Sequence, residues 1–254
     1  MCIHKTIYGL LCVLLFLNKV HAQGPPITVD KPILLGADSW ILKSLTEIRN
    51  TAQGTYIKMP LTVHYLTSSN SLIGIHFPRV SGPISAATLG DIQLLYKYQF
   101  YRKDQMGKTF RVAAKTLQTL PTGPDYGFMG ISNGVYQGYY ALVAGYENVK
   151  LGVSNELGFS SSPNATMDEW RYKLGFGLPL LPSTYPVKQI NLYFETQQSW
   201  FPQLKSYMFL YAQGIQYAIK RLTLEASFQL PITNITNPLL QRDHSIFLGT
   251  RYIF

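Results

Sequence analysis

Gly90 to Arg102 reads GDIQLLYKYQFYR. Ile92, Leu94, Tyr96, Tyr98 and Phe100 take alternate positions, and Asp91, Gln93, Lys97 and Gln99 fall between them. Successive strand side chains point to opposite faces, so this stretch predicts a strand with one aromatic face and one polar, charged face. The pattern recurs. Trp170, Tyr172, Leu174, Phe176 and Leu178 alternate with Glu169, Arg171, Lys173, Gly175 and Gly177. Leu222, Leu224, Ala226, Phe228 and Leu230 alternate with Arg221, Thr223, Glu225, Ser227 and Gln229.

Twelve such segments are expected, near 40–49, 54–66, 70–79, 89–102, 108–120, 134–146, 149–161, 167–179, 187–199, 203–218, 221–232 and 244–254. Short turns near 67–70, 104–107, 147–148 and 219–220 interleave with longer stretches such as Pro121–Asn133 and Thr233–Asp243. A soluble sandwich also alternates, but it buries its apolar face and leaves charges outside. Here the charges share one face opposite the aromatics, which suits a polar lumen and a lipid-facing wall. The chain is therefore expected to be all-β: a single transmembrane antiparallel up-and-down barrel in the bacterial outer membrane.

Composition agrees. The 254 residues hold 18 Tyr, 13 Phe and 20 Gly with only 14% charged residues, an unusual balance for a water-facing surface. Met1 to Ala22 has a basic start, an apolar run from Ile7 to Leu17 and a small terminal residue, the pattern of a cleaved signal peptide. Its removal takes both cysteines, Cys2 and Cys12, and the basic Lys5 and Lys19, so the excess of nine positive charges falls to seven. No disulfide or cysteine-based metal site is then expected. No basic block points to nucleic acid. The expected division is a signal peptide over 1–22, a short periplasmic segment over 23–38 and the barrel over 39–254.

The last residues, SIFLGTRYIF, predict the closing strand. Ile246, Leu248, Thr250, Tyr252 and Phe254 face outward, Arg251 faces the lumen, and the strand pairs with the first one near Trp40–Arg49. Gly249, Tyr252 and Phe254 also resemble the C-terminal signal read by the outer-membrane assembly machinery, although Phe247 stands where that signal has a polar residue.

Leu89 to Gly123 goes further. Gly90-Asp91, then Lys97, Tyr98 and Phe100, then Leu120-Pro121-Thr122-Gly123 resemble the hallmark hairpin of the outer-membrane phenol meta-degradation pathway transporter-like family, and His64 to Pro78 resembles its preceding hairpin. The resemblance implies uptake of small hydrophobic or aromatic compounds and supplies no catalytic residues. The N-terminal stretch PPITVDKPILLGADS departs from it, being less acidic.

Alternation assigns Lys58, Asp91, Lys97, Arg111, Lys115, Glu156, Glu169, Arg171, Lys173, Glu195, Glu225 and Arg251 to the lumen, with Lys43, Glu47 and Arg49. These residues form either a selective constriction or a space-filling network of ion pairs, since an unpartnered buried charge is costly. Trp40, Trp170, Trp200, Tyr56, Tyr101, Tyr136, Tyr146 and Phe201 lie near segment ends and are expected in interfacial girdles. His64 and His76 fall on inward faces of neighbouring strands without a third ligand at a recognisable spacing, so no metal is expected. Ser71 and Ser245 lie nearest a histidine in sequence, and neither sits in a nucleophile motif, so no enzyme activity is expected. A passive channel for small hydrophobic or aromatic solutes, with no cofactor, leads over a structural or surface-interaction barrel with a plugged lumen. Membrane lipids, the assembly machinery and the solutes are the expected partners.

Overall fold

Alternation becomes a closed wall of twelve long antiparallel strands in the computed structural model, which describes residues 26–34, 36–52, 54–82, 85–124, 134–161, 168–181, 188–233 and 242–254. The expected signal peptide over 1–22 lies outside the described residues, as does most of Pro121–Asn133. The strands are β1 Trp40–Thr51, β2 Gly54–Tyr65, β3 Ser71–Gly82, the five-residue β4 Ser85–Leu89, β5 Gln93–Gln105, β6 Lys108–Thr119 and β7 Gln137–Asn148. They continue as β8 Gly152–Ser161, β9 Glu169–Pro179, β10 Lys188–Phe201, β11 Ser206–Ile219, β12 Leu222–Pro231 and β13 His244–Ile253. Each long strand pairs with its neighbours in sequence, and β13 returns to β1 in register from Ile41↔Ile253 to Asn50↔His244. The Phe254 N–H donates to the Trp40 carbonyl at 2.9 Å, so the seam is hydrogen-bonded to its last residue.

Leu61, Ile73, Tyr96, Tyr98, Leu142, Leu157, Phe228 and Leu248 are exposed, while Gln99, Glu156, Asn191, Glu195, Gln216 and Ser245 are buried. This inside-out distribution would be an aggregating surface in water. In lipid it is the solvated face of a barrel. Trp40, Trp170, Trp200, Tyr101, Tyr136 and Tyr146 are on that outer face. Tyr56 and Phe201 are not: both are buried, because their parity matches that of the inward Lys58 and Ser199 on the same strands.

The stretch from Gly90 departs from its expected continuous strand. Pro78 in β3 has no N–H to give a neighbouring strand. On its far side the chain leaves the ladder: β3 pairs with β5 up to His76 and with β4 from Arg79. Gly90 crosses at this break, donating to the Pro78 carbonyl at 2.7 Å, and a Cβ there would lie 3.2 Å from Val80 Cγ1. Asp91 consequently precedes β5. A bulge between Gln99 and Tyr101 then shifts the register, leaving both Phe100 and Tyr101 exposed.

Candidate functional site

The lumen is occupied by the chain's own N-terminal segment. Residues 26–34, expected as a periplasmic stretch, lie inside the barrel. Ile27 is 2% and Val29 4% exposed, and they alternate with Thr28 and Asp30, whose polar groups find partners in the wall. An apolar–polar alternation of this kind would leave Ile27, Val29 and Leu34 in water if the segment hung free.

Its polar contacts pass from strand to strand. On β10, Glu195 accepts from the Ile27 N–H at 2.7 Å and from the Thr28 N–H and hydroxyl at 3.0 and 2.5 Å. On β9, Lys173 donates to the Thr28 carbonyl at 3.1 Å. Asp30 receives Lys97 of β5 at 2.5 Å and Lys115 of β6 at 3.1 Å. Its own N–H reaches Glu156 of β8 at 3.3 Å. Lys31 pairs with Glu147 of β7. Leu34 packs with Leu66, Leu72 and Leu95, sealing the segment near the chain-terminus end.

The wall is shaped to receive it. Gly145, Gly175 and Gly214 lie on β7, β9 and β11, facing inward. A Cβ on Gly145 would come within 2.8 Å of Pro32, one on Gly175 within 3.3 Å of Val29, and one on Gly214 would overlap Ile27. Three alternate strands thus omit a side chain where the segment lies.

Around it the inward charges form local groups. Lys115 also contacts Glu156 at 3.1 Å, and the Tyr139 hydroxyl donates to Glu156 at 2.5 Å. Arg171 and Lys115 flank the Tyr139 ring at 5.0 and 5.5 Å. Near the seam, Glu225 meets Arg251 directly and Lys43 at 3.6 Å. Arg111 reaches Asp104 at 3.3 Å, near the short turn between β5 and β6. Towards the long loops, Arg49 donates Nε and Nη2 to Glu47, both at 2.8 Å, and Arg171 Nε donates to Glu169 at 2.8 Å. Asp91 accepts from the N–H groups of Gly123 at 2.9 Å and Gly134 at 3.2 Å. Lys58 stands within electrostatic range of Glu47, Arg49, Arg171 and Asp91.

Sequence parity gives no access to the lumen-filling segment, to Tyr139 as the aromatic among these charges, or to Arg242 beside Glu47. The signal for the segment is present in retrospect, as the inward glycines and the alternation of Ile27, Thr28, Val29 and Asp30.

His64 Nε2 and His76 Nε2 are 3.2 Å apart, and His76 Nδ1 lies 3.4 Å from Gln93 Oε1. Among the described residues no group of three or more His, Cys, Asp or Glu is arranged to hold a metal ion. His244 Nε2 is 2.7 Å from Asn50 Nδ2, whereas the Ser245 hydroxyl points towards Glu47 at 3.4 Å. Adjacent strand residues face opposite sides, so these two do not meet.

No family model and no curated protein matches the chain. Solved structures do. The chain is similar to the NanC porin (TM-score 0.60, 10% identity, covering 83% of this chain and 98% of that one). It is similar to an outer-membrane channel from Pseudomonas putida F1 (0.56, 10% identity, 92% and 100% covered). It also resembles the KdgM porin solved with disordered oligogalacturonate (0.54, 9% identity, 84% and 99% covered). At these identities the likeness speaks for the fold, which is that of a porin-like bacterial outer-membrane β-barrel.

Proposed function

We propose that this barrel is a passive outer-membrane channel through which small hydrophobic or aromatic molecules diffuse down their gradients, without a cofactor or a catalytic step. The observation that carries the reading is the course of residues 26–34. They contact β11, β10, β9, β8, β7, β6 and β5 along the wall, which narrows a polar lumen for small solutes. In this reading Lys58, Asp91, Lys97, Arg111, Lys115, Glu156, Glu169, Arg171, Lys173, Glu195, Glu225 and Arg251 line the path or anchor the segment that narrows it.

Two features support an apolar solute. One is the resemblance of Leu89–Gly123 to the phenol meta-degradation pathway transporter-like family. The other is a hollow of about 460 Å³ on the lipid-facing wall, edged by Tyr96, Tyr98, Tyr140 and Trp170. The small residues Ala114, Ala141 and Gly158 line it, together with the inward-facing Lys115.

The same segment favours a second reading, a plugged barrel acting through its surface. Single-channel recording of the refolded protein with small aromatic solutes separates the two. Discrete conductance steps that a solute blocks support the channel. A silent bilayer, with folding verified by heat-dependent gel mobility, supports the plug. In either reading Gly249, Tyr252 and Phe254 serve recognition by the assembly machinery.

A further inference from the structure

Arg242 precedes β13 at the long-loop end, in electrostatic range of Arg49, Arg171, Glu47 and Glu169, and Lys58 stands in range of Glu47, Arg49 and Arg171. The carboxylates there are already engaged. Glu47 Oε1 accepts from Arg49 Nε and Nη2 and from the Ser245 hydroxyl. Glu169 is chelated by Arg171. Asp91 binds the backbone of Gly123 and Gly134.

Arg242 is left with a long contact, Nη1 to Glu47 Oε1 at 3.8 Å, beyond hydrogen-bonding distance. Among the described residues its guanidinium donates no hydrogen bond, although its side chain is only 17% exposed. Burial, and next the Arg49 charge, lower its pKa to about 9, which still leaves it charged at neutral pH. A largely buried guanidinium with five N–H groups and no hydrogen-bond acceptor among the described residues is costly. Its planar fork matches a carboxylate or phosphate.

We propose that Arg242, supported by Arg49 and Arg171, forms an oxyanion-binding site at the loop end of the lumen that takes the carboxylate or phosphate of a small solute. It rests on the channel reading for how the solute arrives, and not for the chemistry of binding. The preferred solute is then an amphipathic acid whose charged end docks at Arg242 while its apolar body continues inward.

The test is calorimetric titration of the refolded full barrel in detergent at low salt with inorganic phosphate, benzoate and the neutral isostere benzamide. Phosphate and benzoate should bind saturably and benzamide should not. Arg242→Gln should weaken both anions by roughly tenfold, and Arg242→Lys should restore part of the loss. Tighter benzoate binding assigns the site to carboxylates, and tighter phosphate binding to phosphorylated solutes. Absence of saturable anion binding, or equal binding after Arg242→Gln, overturns the site. The bilayer separates the two readings. A silent bilayer with anion binding intact refutes the channel and leaves the site standing, whereas conduction without binding refutes the site and leaves the channel.

Discussion

Asp30→Asn should release the lumenal segment. The carboxylate sits between Lys97 at 2.5 Å and Lys115 at 3.1 Å, tying residues 26–34 to β5 and β6. A hydrogen bond to a charged group contributes about 1.5–3 kcal/mol, and asparagine keeps part of one of the two. The two ammonium groups are not stranded, because Lys97 retains the Lys31 carbonyl at 3.1 Å and Lys115 retains Glu156. The net weakening is about 2–3 kcal/mol, which raises the opened population roughly 30- to 140-fold. Both native cysteines fall at positions 2 and 12, so Ile27→Cys provides a single thiol in the mature chain if the signal peptide is cleaved. Its labelling by a membrane-impermeant maleimide reads opening directly. The Asp30→Asn background should label faster by that factor. An increase below about threefold would refute the reasoning and assign the hold to Val29 and Leu34 instead.

The same carboxyl gives the acid limb of the pH response. Burial alone would raise its pKa, but Lys115 and Lys97 outweigh burial and hold it well below the usual carboxylate range. A depressed folded-state pKa gives a tether that is complete above the ordinary value near 4 and lost only as pH falls through the lower bound-state value. The Asp30 contribution should therefore be constant from about pH 8 to pH 5 and be lost only in stronger acid, read as faster Ile27→Cys labelling there. Gly145→Val should also displace the segment. Its new side chain meets Pro32 at 2.8 Å but the Val153 carbonyl only at 3.6 Å, so faster Ile27→Cys labelling is expected with folded gel mobility retained. Asp91→Ala removes the acceptor of two backbone N–H groups, and protease cleavage between 123 and 134 should accelerate by roughly tenfold or more. Phe254→Ala loses the edge-to-face contact with Tyr252 at 4.8 Å, costing about 1 kcal/mol of stability. It should also slow assembly in cells, measured as the folded fraction in outer-membrane extracts.

Strand positions were legible because lipid and lumen impose opposite polarity on neighbouring residues, a rule written into every second position of β9, β12 and β13. The rule weakens where the ladder weakens. Asp91 looks like a strand residue by parity, yet Pro78 opens the sheet beside it. Tyr56 and Phe201 look like girdle residues by type, yet parity turns them inward. Parity has no reach beyond the strands, so it was silent about Arg242 in a loop and about Ile27 to Leu34 ahead of β1. Both matter at the site because they enter the lumen from outside the pattern that defines it.

The three inward glycines separate the wall from what determines its bore. Where Gly145, Gly175 and Gly214 lie, the free cross-section is set by the bulk of Pro32, Val29 and Ile27, not by residues of the hydrogen-bonded cylinder. Calibre thus resides in residues of the lumenal segment, outside the strand ladder. Substitutions in that segment leave the seam, the lipid face and the turns untouched, so the passage can be resized without altering the barrel that contains it.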